Sequence, residues 1–460
     1  MIMEVTDKNS IMDRLAAQRD YFATGETRSI TFRKEMLRRF RDAIIANEKR
    51  ITDAVFKDLR KSYQEVYLTE ISLVLAEIRY HLKNIGRWAG SRRVPTPVYL
   101  LPSSSRLLHE PLGVSLIIAP WNYPFQLLMS PLVGAISSGC TAVLKPSPYT
   151  PHTAQVMEEM ISGIFDHRYV TTIQGGREVN SFLLEQRWDM IFFTGSPALG
   201  KVVMEAASKH LTPVVLELGG KSPCIVDADA NIPIAAKRIA WGKTINAGQT
   251  CIAPDYILVH SSVKERLLSE LEKVITGTFG SDPQKSEWYP RIVNKQAFER
   301  LSGYLGDGTI RFGGHTDAAD RYFAPTLLDN VDKASSVMQD EIFGPVLPVL
   351  TFEKVDEAID FVNKREKPLA FYFFGSSAGA KEVLSRTTSG GGCINDTLMH
   401  ITNHHLPFGG VGNSGLGSYH GKQSFLAFSN ARAIVKTPTW IDLPFKYVPF
   451  RFFGLIKRIM

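Results

Sequence analysis

Between residues 114 and 218 the chain alternates short β-rich runs with helical stretches, and few folds accept that pattern. The runs fall at 114–119, 142–145, 170–174, 190–194 and 214–218. Strands separated by whole helices pair most readily in parallel, so these five predict a doubly wound sheet covered by helices. A second series follows Glu217, with strands expected at 223–226, 256–259, 346–351, 371–374 and 392–395 and helices around 263–275, 355–363 and 378–387. The predicted fold is therefore α/β with two lobes, each a mostly parallel sheet with flanking helices. The lobes meet near Glu217, and a cleft between domains is a favoured place for a ligand.

Residues 30–88 carry apolar positions at helical spacing, as in Met36, Phe40, Ile44 and Ile45, and predict two or three helices. The stretch 95–111 breaks that period. There Val98, Tyr99, Leu100 and Leu101 face Leu107 and Leu108 across Pro102-Ser103-Ser104-Ser105, which reads as a small hairpin standing apart.

A chain of 460 residues needs two or three domains. Its net charge of +7, from 53 basic against 46 acidic residues, is spread along the sequence, which argues against a nucleic-acid surface and suits anionic cofactors or acidic membrane surfaces. Four cysteines without a CxxC pair predict neither a disulfide framework nor a zinc site. Cys140, Cys224 and Cys393 are read as buried packing residues. Residues 1–28 lack the apolar core of a signal peptide and no run of eighteen apolar residues exists, so the expected location is cytoplasmic.

The chemistry concentrates on Cys251, in Asn246-Ala247-Gly248-Gln249-Thr250-Cys251, and on Glu217, in Glu217-Leu218-Gly219-Gly220-Lys221. A thiol attacks as its thiolate, so it needs help near neutral pH. Gly248 leaves room for backbone amides to approach the sulfur, and Glu217 can accept a proton from the thiol or from water. The competing reading is a small buried hydrophobe. No GxGxxG is present. Instead Phe193-Thr194-Gly195-Ser196-Pro197 ends a strand and opens a helix, with Ser196 at the N-cap and Pro197 at the first helical position. Such a turn offers amides and a helix dipole to a pyrophosphate, or is simply a well-capped turn. Lys145 ends another strand, where it is either a ligand-binding cation or an ordinary surface lysine. His400, His404 and His405 could in principle bind zinc, but packing in a loop fits their polar surroundings, which end at Pro407, better.

Taken in order, Pro120-Trp121-Asn122-Tyr123-Pro124, residues 144–148, Phe193-Thr194-Gly195-Ser196, residues 217–223, residues 248–254, Glu341-Ile342-Phe343-Gly344-Pro345 and Pro407-Phe408-Gly409-Gly410 resemble the aldehyde dehydrogenase superfamily over nearly the whole chain. Asp58-Leu59-Arg60-Lys61-Ser62 and Gly417-Ser418-Tyr419-His420-Gly421-Lys422 look like its class 3 branch, which acts on fatty and aromatic aldehydes. The resemblance implies that Cys251 attacks the aldehyde to give a thiohemiacetal, with the oxyanion held by the Asn122 amide and the Cys251 N–H. Hydride passes to NAD or NADP, and Glu217 activates the water that hydrolyses the thioester. It also implies that Lys145, Gly195, Ser196, Gly200, Glu341 and Phe343 hold the cofactor, and that Tyr123 and Phe408 line the aldehyde tunnel. Many relatives place a ribose-gripping glutamate where this chain has Pro148, so NADP should be tolerated beside NAD. Glu217 disfavours the alternative of acyl transfer to coenzyme A, and the intact Asn122, Cys251 and Glu217 disfavour a non-catalytic protein that has kept the fold.

The expected organisation is a cofactor-binding domain from 1–92 and 111–216, a catalytic domain from 217–400, and a bridging element from 93–110 and 428–440. In that element 431–436 supplies an edge strand to a homodimer. The tail, 441–460, mixes Leu443, Phe445, Tyr447, Phe450, Phe452, Phe453, Leu455 and Ile456 with Lys446, Arg451, Lys457 and Arg458. It is expected to bury against the body or a partner subunit. Its alternatives are peripheral contact with a membrane and disorder.

Overall fold

The computed structural model describes residues 6–450 and 452–459. Residues 1–5 and Arg451 of the segments read above lie outside the described residues, as do the side chains of Phe445, Leu455 and Ile456.

All ten strands expected in the two series form, most of them within two residues of the bounds read from sequence. The first five are Val114–Ile118, Thr141–Lys145, Val170–Thr172, Met190–Thr194 and Val214–Glu217. They pair in parallel in the spatial order 214–217, 190–194, 114–118, 141–145, 170–172. Strand order reverses between 114–118 and 190–194, and the crevice outside the carboxyl ends at such a switch point is where open α/β sheets bind ligands. A sixth strand, Gly415–Leu416, adds antiparallel to Val214–Glu217. Two residues are too short to leave a period-2 signal in sequence, so that return of the chain to the first sheet was not legible.

The second sheet has seven strands. Pro223–Val226, Tyr256–His260, Val346–Phe352, Ala370–Phe374 and Gly391–Ile394 pair in parallel. Thr326–Asp329 joins them in parallel, and Thr309–Phe312 closes one edge antiparallel. Helices cover the faces. Gln126–Ser138 is buried along its entire length, because its sequence, QLLMSPLVGAISS, carries no charge on any side. Pro131 inside it is tolerated in this packed setting.

The hairpin expectation is corrected in its pairing. Val98–Leu100 is a 3₁₀ turn, and Ser104–Pro111 pairs instead with Arg92–Val94 on one side and with Ser429–Lys436 on the other. The N–H groups of Leu100 and Leu101 are spent on the carbonyls of Pro97 and Val98, at 2.9 and 3.1 Å, so 98–101 closes a turn instead of joining a ladder. Thr96 caps the corner by accepting from the Ser105 N–H at 2.9 Å. The resulting three-stranded sheet stands apart from both larger ones, and Ser429–Lys436 forms one of its edges.

The tail does not bury against the body of its own subunit. Tyr447, Val448, Phe450, Phe452 and Phe453 are all exposed, Val448 by 78%, beside an exposed Trp440. A short helix, Phe453–Ile459, closes the chain. Among the described residues no helix is long and apolar enough to cross a membrane.

Candidate active site

Four adjacent parallel strands of the first sheet deliver residues to one place. Their carboxyl ends carry Glu217, Thr194-Gly195, the loop 119–125 with Asn122 and Tyr123, and Lys145. From Glu217 the chain runs through Gly219 and Gly220 straight into the first strand of the second sheet, so carboxyl ends of one sheet face amino ends of the other. The loop holding Cys251 precedes Tyr256–His260 and the loop holding Glu341 and Phe343 precedes Val346–Phe352, which puts both on that facing rim.

Lys221 ties together the loops of the second sheet's rim. Its ammonium pairs with Asp255 at 2.5 Å and donates to the carbonyls of Val337 at 2.7 Å and Asp340 at 2.9 Å. Asp255 in turn accepts the Ile342 N–H at 2.9 Å. Breaking one half of a pair this buried typically costs about 3 to 5 kcal/mol, so the Glu341 loop is held firmly.

Cys251 lies partly exposed in the wall of a cavity of about 760 Å³. Tyr123, Thr250 and Phe408 line it with Cys251, and Leu73, Trp241, Ile275 and Phe279 make it apolar. That volume accommodates a drug-sized apolar ligand. Tyr123 is fixed by a 2.7 Å hydrogen bond between its hydroxyl and Thr250 Oγ1. Phe408 stacks between His400 and His420, with ring centroids 5.8 and 5.2 Å away. The three histidines singled out in sequence go to separate partners: His400 to Cys393 Sγ at 3.5 Å, His404 to Glu77 at 3.0 Å and His405 to the Tyr80 hydroxyl at 3.3 Å. Cys140 and Cys224 are buried, whereas Cys393 is only half-buried, packing against the core while its sulfur meets His400 Nδ1.

The loop around Cys251 is tied at both ends. Tyr372 donates to the Ile252 carbonyl at 2.5 Å, and Gln249 spends its side chain on Asn246, Arg291 and Val293. The role expected of Gly248 is corrected. Its φ is +72°, and a Cβ there would come within 2.2 Å of the Gly344 carbonyl oxygen, so its missing side chain makes room for backbone of the Glu341 loop and not for the sulfur. The amides near the sulfur are those of Cys251 and Ile252. They do not prevail: burial, then the charges of Glu341 and Glu217, push the thiol pKa up, so the thiolate is disfavoured until a proton acceptor intervenes.

Glu217 is 2% exposed, and neither carboxyl oxygen has a hydrogen-bond partner. It joins no ion pair among the described residues. Burial alone raises its pKa well above the usual carboxylate range. Asn122 donates one amide hydrogen to the Gln249 carbonyl at 3.0 Å, which leaves its second free.

The residues expected to hold a dinucleotide fit one in part by geometry. Ser196 caps Pro197–Ser208 through a 3.4 Å bond from Leu199 N. The turn offers fewer free amides than expected, since Gly195 N donates to the Glu217 carbonyl at 2.9 Å. The Ser196 and Ala198 amides remain at the open helix end, beside a buried Thr194 hydroxyl with no partner. Gly200 lets the helix pack on Leu218, where a Cβ would lie 2.7 Å from Cδ2. Lys145 is not a surface lysine. It is 1% exposed, donates to the Pro146 carbonyl at 2.8 Å, and burial lowers its pKa to about 8. The Glu341 carboxyl lies against Gly219, and burial followed by the charge of Asp255 raises it to about 8. Phe343, at φ +48°, meets Trp121 edge-on at 5.3 Å, so the two rims touch here.

Sequence reasoning missed the supports beneath Asn122. Lys61, fully buried, pairs with Glu70 at 2.9 Å, donates to the Asn122 carbonyl at 2.7 Å and stands 3.9 Å over the Tyr123 ring. Glu70 also accepts the Phe125 N–H at 2.8 Å. Charges inside an otherwise apolar helical pattern were the one available signal.

Comparison with known proteins now bears on this geometry. The aldehyde dehydrogenase family profile matches residues 3–434. The 4,4'-diaponeurosporen-aldehyde dehydrogenase of Staphylococcus aureus is 46% identical over 98% of each chain. The canine "aldehyde dehydrogenase, dimeric NADP-preferring" is 43% identical over 96% of this chain and 98% of its own. A substrate-bound structure of Staphylococcus aureus AldH superposes with a TM-score of 0.96 at 46% identity, covering 97% of this chain and 99% of the other. Betaine aldehyde dehydrogenase from Staphylococcus aureus in complex with NAD+ gives 0.85 at 26% identity, over 96% and 91%.

Proposed function

The chain belongs to the aldehyde dehydrogenase family, and we propose that it oxidises medium- or long-chain aliphatic aldehydes, with aromatic ones second, to free carboxylic acids using NAD or NADP. One observation carries the reading: a thiol in the wall of a large apolar cavity beside a buried carboxyl group that nothing else engages.

Cys251 gives up its proton, to Glu217 or to solvent water, and attacks the aldehyde carbon seated between Tyr123 and Phe408 to give a thiohemiacetal. The free Asn122 amide hydrogen and the Cys251 N–H receive the oxyanion, and a single donor of this kind is worth about 3 to 4 kcal/mol. NAD or NADP, when bound, supplies the nicotinamide that accepts the hydride and so leaves a thioester on Cys251. Ser196 with its helix end and Lys145 are suited to the dinucleotide's phosphate and ribose, and Glu341 with Phe343 to the nicotinamide ribose and ring. Glu217, as carboxylate after any proton taken from the thiol has passed to solvent, then takes a proton from the water that releases the acid. Pro148 presents no carboxylate to repel a 2′-phosphate.

A panel of saturated and aromatic aldehydes assayed with each cofactor tests this. The expected result is turnover with both cofactors, without added coenzyme A, and with kcat/KM rising with alkyl length. A requirement for coenzyme A overturns the hydrolytic reading, and a strong preference for NAD overturns the inference from Pro148.

Ser429–Lys436 pairs with Ser104–Pro111 on one side only, so a second copy adding there would cover the bare edge. The tail's exposed aromatic residues beside the exposed Lys446, Lys457 and Arg458 support peripheral contact with an anionic membrane. The full chain should float with anionic liposomes and a chain lacking residues 450–460 should not. Equal flotation rules the contact out, and conversion to monomer on truncation assigns the tail to the subunit interface.

A further inference from the structure

We propose that Glu65 is a positioning residue for the nucleophile: its carboxylate, standing in the cavity wall, fixes the left-handed turn at Asn246, Ala247 and Gly248 from which Cys251 is presented. The inference rests on the reading of Cys251 as the nucleophile.

The turn needs an external hold. Helix Ile232–Thr244 stops, and Asn246 and Ala247 both adopt φ +50°, followed by Gly248 at +72°. Two consecutive non-glycine residues in this region are intrinsically unfavourable, so neighbours must impose the conformation. The Asn246 N–H, deprived of a helical acceptor, donates to Glu65 Oε1 at 2.8 Å. Asn246 is also the node of the site. Its side-chain amide donates to the Asn122 carbonyl at 2.8 Å and to the Gln249 carbonyl at 3.0 Å, and its own carbonyl accepts from Gln249 N and Nε2 at 3.0 Å each. A shift of Asn246 therefore moves both Asn122 and the two residues leading into Cys251.

Glu65 is itself placed by local structure. Its N–H donates to Ser62, and Tyr67–Ile71 just beyond it is a π-turn, a wide turn that often marks functional sites. Among the described residues that line the cavity, it is the one carboxylate. Facing it are Lys61 and Glu70, committed to each other, and the phenols of Tyr123 and Tyr289. Burial outweighs Lys61 and brings the carboxyl to about 7, so its charge changes within the working range of an enzyme. Ionised, it is the stronger acceptor for Asn246.

Glu65→Ala and Glu65→Gln in the full chain test the proposal by two readouts: alkylation of Cys251 by iodoacetamide in the absence of cofactor, followed by mass spectrometry, and kcat against pH. Glu65→Ala should lower both rates by about 10- to 100-fold, the effect of a lost charge-assisted hydrogen bond, with KM changed by less than about twofold. Glu65→Gln keeps an acceptor oxygen and should restore most of both rates. The ratio of wild-type to Glu65→Gln kcat should rise with pH through about 7. A flat ratio overturns the proposal, as does a folded Glu65→Ala protein with wild-type alkylation and kcat. If the alanine variant fails to fold, the glutamine ratio alone decides. Labelling of a residue other than Cys251 instead refutes the nucleophile assignment.

Discussion

Replacing Cys251 with alanine is expected to reduce aldehyde-dependent nicotinamide reduction by about 10⁴-fold or more, because removing a covalent nucleophile leaves only binding and oxyanion stabilisation. The cavity should survive. Cys251 contributes one wall position, and the loop is held by hydrogen bonds of Tyr372, Gln249 and Asn246 to groups other than the sulfur. Binding of the dinucleotide should therefore stay within a few-fold of wild type. Cys251→Ser keeps a hydroxyl in the same place, but burial and the neighbouring carboxyl groups that already push the thiol up would oppose an alkoxide far more strongly. Full dehydrogenase activity in the serine variant would refute the assignment. Peptide mass maps of enzyme quenched during turnover give the complementary check, a mass increase confined to the peptide that contains Cys251.

The pieces that could be read from sequence are those whose signal is local. Five runs of β-branched and apolar residues between helices gave the first sheet, and Ser196-Pro197 marked a helix start that the structure reproduces as an N-cap. Cys251, Glu217, Asn122 and Tyr123, far apart in the chain, converge because strand ends of one sheet abut strand starts of the other. Long-range compensation was not legible. Lys61 and Glu70 look like surface charges, yet Lys61, in the loop after helix Glu48–Leu59, and Glu70, inside the π-turn Tyr67–Ile71, pair beneath Asn122. Gly248 sits beside Cys251 in sequence, but the atom it makes room for belongs to Gly344. The hairpin was misregistered because residues 98–101 have strand-like side chains while the N–H groups of Leu100 and Leu101 close a local turn. Around Asn122 and at Gly248 packing partners that no local pattern marks decided the outcome, and at the hairpin the local backbone overrode the side-chain pattern.

Glu217→Gln should separate the two halves of the reaction. The amide has nearly the shape of the carboxyl but cannot take a proton, so acylation of Cys251 should proceed for one turnover and hydrolysis should stall. Steady-state kcat is expected to fall by about 10²- to 10⁴-fold, the usual worth of a general base. A burst of about one reduced nicotinamide per site should precede the slow phase, with acyl-enzyme accumulating on Cys251. Loss of the burst itself would instead make Glu217 indispensable for removing the thiol proton. The pH dependence follows from burial. Because the pKa of Glu217 is raised in the fold, the group is neutral and idle below that value, so wild-type deacylation should fall off at a pH above the ordinary carboxylate range. The variant should lack this limb. Stability gives an independent sign. A carboxyl whose folded pKa is raised holds its proton more tightly folded than unfolded, so it costs stability as pH climbs from the unfolded value, 4.5, towards the folded one. Glutamine is free of that cost. The melting temperature of Glu217→Gln relative to wild type should therefore rise with pH across that interval, while its catalytic deficit grows over the same range; a variant that loses activity and stability together would mark Glu217 as a structural residue.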